Sequence, residues 1–307
     1  MHQRTNGSHA DVNLAPATFA QRLVAAGQVR GRLCVGIDPH PYLLQQWGLD
    51  DSADGVHYFT QACVEAFADT AALVKPQVAF FERFGSRGFA VLEDALEALR
   101  NTGCLTVADA KRGDIGSTMA GYAEAWLGES SPLRADSVTV SPYLGVGALQ
   151  PVFDKAWETG RGVFVLAATS NPEAVTMQSY VSSTQSELNL AQFVVDECAA
   201  LNDTQRGQTG DASASSTSKG PYGDIGVVVG ATLRNPPELA QLHGPVLLPG
   251  VGAQGATAAD VLRITASAPE LGFANISRAV LSQGPNVAAM KQAVLDNAAA
   301  FMEDNSV

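Results

Sequence analysis

Asp109-Ala-Lys111-Arg-Gly-Asp114 sets two carboxylates around one ammonium, directly after the apolar run Cys104–Ala108. If that run is a buried strand, Asp109 and Lys111 leave its end on one side, because strand side chains repeat every two residues. Asp114 then lies in the following loop. Two acids beside one ammonium at a strand end are costly unless the charges pair or do chemistry. A loop salt bridge is the plain alternative for these six residues taken alone. A second group lies toward the C-terminus, where Pro249-Gly250-Val-Gly252-Ala-Gln254-Gly255 is followed some twenty residues later by Arg278. Glycines let backbone N–H groups approach an anion, and a guanidinium grips two phosphate oxygens, so this group points to phosphate binding.

Both groups need a scaffold that brings distant residues together. Short β-branched runs recur at Leu33–Ile37, Ala72–Lys75, Cys104–Ala108, Ser137–Val140, Gly162–Ala167, Gly226–Val229, Val246–Leu248 and Gly272–Ile276. Amphipathic segments separate them, among them Phe59–Thr70, Phe89–Asn101, Leu188–Asn202 and Ala258–Ala268. Eight alternations in one chain predict an α/β fold, a single-domain (β/α)8 TIM barrel over residues 1–307. A doubly wound sheet is the alternative, but no GxGxxG turn follows the first strand. In a barrel the strand carboxyl ends share one mouth, which would gather Asp38, Lys75, Asp109 and Lys111 into an alternating charge set. Neighbouring opposite charges hold one another ionised, so a dry pocket keeps a fixed charge pattern. The loops after strands seven and eight are the usual phosphate site of such barrels. Residues 203–220 are Ser/Thr/Gly-rich and are expected to form a surface insertion. Residues 1–10 are expected to fray.

The 307 residues are 46% hydrophobic and 16% charged, the composition of an ordinary globular chain. A net charge of −12 argues against nucleic acid as a partner, which needs clustered Lys and Arg, but leaves room for one local cationic pocket. The four cysteines are widely spaced without metal-ligand patterns, so no zinc site and a reducing, cytoplasmic setting are expected. The N-terminus lacks an apolar signal core, and no run is long enough to span a bilayer.

Asp109-x-Lys111-x-x-Asp114-Ile115 with Thr118, Asp38, Lys75, the Pro249–Gly255 loop and Arg278 together resemble the orotidine 5′-phosphate decarboxylase family. The Asp-Ala-Lys-Arg-Gly-Asp-Ile form is similar to its longer bacterial branch, typified by mycobacterial enzymes, and the likeness runs from about Leu33 to Arg278. The resemblance implies loss of CO2 from orotidine monophosphate to give uridine monophosphate, without metal or organic cofactor. It assigns Lys111, Asp109, Asp114 and Lys75 to catalysis. Lys111 would stabilise and protonate the C6 carbanion, and Asp109 and Asp114 would hold it charged. It assigns Asp38 and Lys75 to the ribose hydroxyls, Ser170 to the pyrimidine edge, and Gln254, Arg278 and the Pro249, Gly250, Gly252 and Gly255 loop to the phosphate. It also implies a homodimer in which Asp114 and Thr118 reach the neighbouring site.

Each residue also has a plainer reading. Asp38 before Pro39 starts a turn, Lys75 ends a strand in solvent, and Ser170 caps the next helix. Arg112 reads as a solvated or inter-subunit charge, and the histidines carry no role. Two other functions compete: a 3-keto-gulonate 6-phosphate-type decarboxylase, and a non-enzymatic phosphate-ligand sensor on a barrel scaffold. The first uses a divalent metal held by an additional acid, whereas strand two here ends in Lys75.

Overall fold

The computed structural model describes residues 17–181, 188–207 and 221–302. Its eight strands are β1 (Leu33–Ile37), β2 (Leu73–Pro76), β3 (Leu105–Arg112), β4 (Ser137–Val140), β5 (Gly162–Ala168), β6 (Ile225–Val229), β7 (Val246–Pro249) and β8 (Gly272–Ile276). They close into a barrel in sequence order, every pair parallel, with helices in every connection except that from β6 to β7, which is irregular. The (β/α)8 expectation is met. Among the described residues no helix is long and apolar enough to cross a membrane.

The alternation of strand side chains divides the core in two. Leu33, Val35 and Ile37 of β1, Val138 and Val140 of β4, and Val163 and Val165 of β5 face the surrounding helices. Cys34, Leu73, Leu105, Val107, Phe164, Val228, Leu247 and Phe273 fill the barrel interior. The far end of this interior is closed by the helix Phe19–Arg30, which precedes β1 and inserts Phe19 against the edge of the Phe164 ring, centroids 6.0 Å apart. Gly162 makes this possible, since a β-carbon there would occupy the Phe19 ring. Asp224 anchors the same helix, accepting the Ala20 N–H at 2.8 Å, and Arg22 bonds Asp136 at 2.7 Å. With one end plugged by apolar groups, polar chemistry is confined to the carboxyl-end mouth.

Several boundaries differ from expectation, and three of them bear on the site or its surroundings. β3 does not end at Ala108 but continues to Arg112, so Asp109 and Lys111 lie within the strand. The helix Ala53–Phe67 starts earlier than Phe59, because Ser52 accepts the Gly55 N–H and initiates it. The helix Leu190–Gln205 takes in the first residues assigned to the insertion. Asp203 pairs with Arg206 and Gln205 bonds Asp224, which gives this last turn partners that composition does not reveal. The rest of the expected insertion, and the expected frayed residues 1–10, lie outside the described residues.

Candidate active site

The mouth is built around a bulge. Ala108 of β3 pairs with Val138 of β4 and Arg112 with Val140, so Asp109, Ala110 and Lys111 face the single residue Thr139. A bulge next to a mouth re-aims side chains that a regular ladder would alternate. Lys111 takes the strain of this turn, with φ +48°, a left-handed conformation uncommon for a residue with a β-carbon.

Asp109 is the hub. Its Oδ2 accepts from Lys75 Nζ at 2.9 Å; its Oδ1 accepts from Lys111 Nζ at 2.5 Å and Thr139 Oγ1 at 2.9 Å. Lys75 Nζ also donates to Gln77 Oε1 at 3.2 Å and lies 3.9 Å from Asp38 Oδ1. The alternating series Asp38–Lys75–Asp109–Lys111 is therefore contiguous. Burial by itself would push the Asp109 carboxyl up, but Lys75 and Lys111 more than offset this and hold it well below the usual carboxylate range. Burial by itself would push the Lys75 ammonium down, and Asp109 and then Asp38 more than offset that, holding it above an ordinary lysine. The inner three side chains are nearly enclosed, whereas that of Lys111 is 44% exposed. Lys111 is thus the member of the series that presents its charge to the mouth.

Asp38 Oδ1 is buried without a hydrogen-bond partner. A buried acceptor without a partner is the kind of group that a hydroxyl donor would satisfy. Cys34 lies beneath this layer and is inert, its thiol pushed far up by burial. All four cysteines are free and buried.

Two further sets flank the charges. Gly250, Gly252 and Gly255 have φ of +107°, +70° and +89°, conformations that side chains with a β-carbon rarely adopt, so the loop after Pro249 depends on glycine. Ser170 does not cap a helix; its Oγ donates to Gln254 Oε1 at 2.7 Å and ties the loop after β5 to the loop after β7. Arg278 opens the helix Arg278–Leu281 after β8, is exposed, and makes no ion pair among the described residues. A cavity of about 580 Å³ adjoins Lys111, lined by Ser141, Tyr143, Leu166, Asn171 and Phe193 among others. Its lining is mostly apolar with a few polar groups, Lys111 among them, the character of a small-molecule site.

The structure does not bring Asp114 to Lys111. The Asp114 carboxylate accepts its neighbour Ile115 N–H at 2.8 Å and has no ion pair among the described residues. Thr118 is exposed on the helix Gly116–Leu127. Arg112 donates to Glu82 at 2.9 Å and lies over the Tyr122 and Trp126 rings. Thr139 and Gln77, which touch the charge series directly, were not among the sequence candidates. A hydroxyl between Val138 and Val140, alternating onto the interior face, was the available signal for Thr139.

Comparison with known proteins gives one answer throughout. A family model described as "Orotidine 5′-phosphate decarboxylase / HUMPS family" matches residues 31–293. A Corynebacterium efficiens protein named orotidine 5′-phosphate decarboxylase is 58% identical over 284 residues, covering 92% of this chain and 97% of the relative. One of the same name from Salinispora arenicola is 52% identical over 277 residues, covering 90% and 94%. A crystal structure from Streptomyces avermitilis, bearing that enzyme name in its description, superposes with a TM-score of 0.83 at 44% identity, covering 96% of this chain and 98% of that one. Leishmania donovani OMP decarboxylase superposes at 0.69 with 27% identity, covering 92% and 99%.

Proposed function

Since this chain belongs to the orotidine 5′-phosphate decarboxylase / HUMPS family, we propose that it converts orotidine 5′-monophosphate to uridine 5′-monophosphate, the last step of de novo pyrimidine synthesis, in the cytoplasm. The observation that carries the reading is the contiguous series Asp38–Lys75–Asp109–Lys111, with only its last ammonium open to the mouth.

Departure of CO2 from C6 leaves an electron pair in the plane of the pyrimidine ring, where no ring carbonyl delocalises it. A fixed cation beside C6 lowers the energy of that pair. Lys111 supplies it, kept charged by Asp109 at 2.5 Å. The same ammonium then transfers a proton from Nζ to C6, and the exposed side chain regains one from water. Asp109 cannot neutralise itself by taking up a proton, because two ammonium groups hold it ionised. Where the substrate carboxylate sits close to it, repulsion falls as neutral CO2 forms, which favours the transition state over the bound substrate.

The remaining residues bind. The unpaired Asp38 Oδ1 and the Lys75 ammonium serve the ribose hydroxyls. Gln254, Arg278 and the glycine loop hold the phosphate, and Ser170 meets the pyrimidine edge. The Ser170–Gln254 bond joins the phosphate end of the site to the ring end, so phosphate binding and enclosure of the ring are mechanically linked. Asp114 and Thr118, which have no partner at the Lys111 cluster within the chain, complete the site of a second copy in a homodimer.

A sugar-acid decarboxylase of the same fold needs an acidic metal ligand where β2 presents Lys75. The test is the ultraviolet absorbance of orotidine monophosphate with chelator-treated protein. Loss of the orotate band with formation of uridine monophosphate supports the reading. Tight uridine monophosphate binding without turnover overturns it in favour of a sensor, and turnover of a sugar-acid phosphate only with added magnesium overturns it in favour of the metal-dependent relative.

A further inference from the structure

We infer that Thr139 is a positioning residue for this reaction: its single hydroxyl fixes both the backbone of Lys111 and the carboxylate of Asp109. The inference rests on the decarboxylase reading above and adds a residue to it. Thr139 is fully enclosed on β4, opposite the β3 bulge. The bulge takes the Lys111 N–H out of the β3–β4 ladder, and Thr139 Oγ1 accepts it at 2.9 Å. The same oxygen donates its proton to Asp109 Oδ1 at 2.9 Å. Its one proton is used, and its acceptor side faces the Lys111 amide.

Two consequences follow. The left-handed φ of Lys111 is unfavourable for a lysine, and its amide hydrogen bond to Thr139 is the local interaction that holds it. The Asp109 carboxylate has three side-chain donors: Lys75 on Oδ2, and Lys111 and Thr139 on Oδ1. The two lysines end flexible chains, whereas the threonine hydroxyl is short, β-branched and set in a strand. Thr139 is therefore the rigid reference for the plane of the carboxylate, and through it for the direction of the Lys111 ammonium. A catalytic ammonium displaced by a fraction of an ångström loses rate before it loses binding. Valine has the shape of threonine but leaves both the Lys111 N–H and one Asp109 acceptor site unpaired.

The experiment compares Thr139→Val and Thr139→Ser with wild type in kcat, KM, uridine monophosphate affinity and thermal unfolding. Thr139→Val is expected to lower kcat roughly ten- to hundredfold, the range for losing a hydrogen bond to a charged group. KM and product affinity should change by less than about threefold if the loss falls on the transition state rather than on ground-state binding. Thr139→Ser, which keeps the hydroxyl, should recover most of the rate. Should Thr139→Val not fold, Thr139→Ala, which removes the hydroxyl without filling the bulge, gives the same comparison. The inference is overturned by a folded hydroxyl-free variant with unimpaired kcat. It is equally overturned if the serine variant falls as far as valine, since the methyl and not the hydroxyl would then matter. Amide exchange at Lys111 provides a readout independent of turnover. Its protection should drop in the hydroxyl-free variant and persist in serine, and unchanged exchange overturns the inference. A wild-type protein without decarboxylase activity would sink the function reading and leave that exchange result standing.

Discussion

Replacing Asp109 with asparagine removes one charge and almost no volume from the centre of the series. In wild type the carboxylate pairs with Lys75 at 2.9 Å, the two side chains being only 5% and 8% exposed. Asparagine leaves Lys75 enclosed with Gln77 at 3.2 Å and Asp38 at 3.9 Å. Removing one partner of a buried pair costs about 3–5 kcal/mol, and the residual attraction to Asp38 places this case near about 3 kcal/mol. Lys111 adds little to the stability term because its side chain is 44% exposed and water screens it. At about 2–4 °C per kcal/mol, the unfolding midpoint should fall by roughly 6–12 °C near pH 7. The pH dependence sharpens the test. In wild type Asp109 is depressed in the folded state, so its contribution is present above about pH 4 and fades as acid protonates it. Lys75 is raised in wild type, so its contribution persists up to the ordinary lysine range near pH 10. In the variant the balance on Lys75 reverses. Burial, the largest influence on it, is no longer offset by Asp109, so neutralising it at alkaline pH relieves the cost. The gap in midpoint between wild type and Asp109→Asn should therefore narrow between about pH 7 and about pH 9.5, and again below about pH 4. Calorimetry across that range is the assay. A variant as stable as wild type at neutral pH, or a gap that widens with alkali, would refute the description of Asp109 and Lys75 as a buried, mutually ionising pair.

Arg278→Ala should raise KM for orotidine monophosphate roughly ten- to hundredfold, as expected for losing a charged hydrogen bond to phosphate, and steady-state kinetics with added guanidinium ion should show partial rescue. Phe19→Ala should destabilise the barrel by about 3–5 kcal/mol through a cavity at its closed end, read as a lower urea midpoint with KM unchanged. Equal mixing of the separately inactive Lys111→Ala and Asp114→Asn proteins should restore activity to about a quarter of wild type, because half of the random dimers then hold one complete site. No recovery on mixing would confine both residues to one subunit's own site.

Much of this architecture is legible in the sequence because each strand is a short apolar run between polar turns, and parallel strands buried on both faces need little else. β3 shows where that signal stops. Asp and Lys are poor strand formers, so Asp109–Arg112 reads as loop, whereas β3 bulges opposite Thr139 and rejoins the ladder at Arg112. Thr139 itself is a single hydroxyl in an apolar run, and only the register of β4 against β3 gives it a meaning. The Ser170–Gln254 bond joins residues 84 apart and has no local signature at either end. Phe19 is an ordinary aromatic on an amphipathic helix until Gly162 and Phe164 show that it closes the barrel. Asp114 shows a different limit, for its closeness to Lys111 in sequence does not become an ion pair within the folded chain.

The central claim, that the Lys111 ammonium delivers the proton that replaces CO2 at C6, is tested most directly by turning over orotidine monophosphate in deuterium oxide and observing position 6 of the product by proton NMR. Wild type should yield uridine monophosphate deuterated at C6, the lysine protons having exchanged with solvent. Lys111→Ala should bind uridine monophosphate and give no detectable product on the same timescale. Turnover by Lys111→Ala at a rate near wild type would contradict the account.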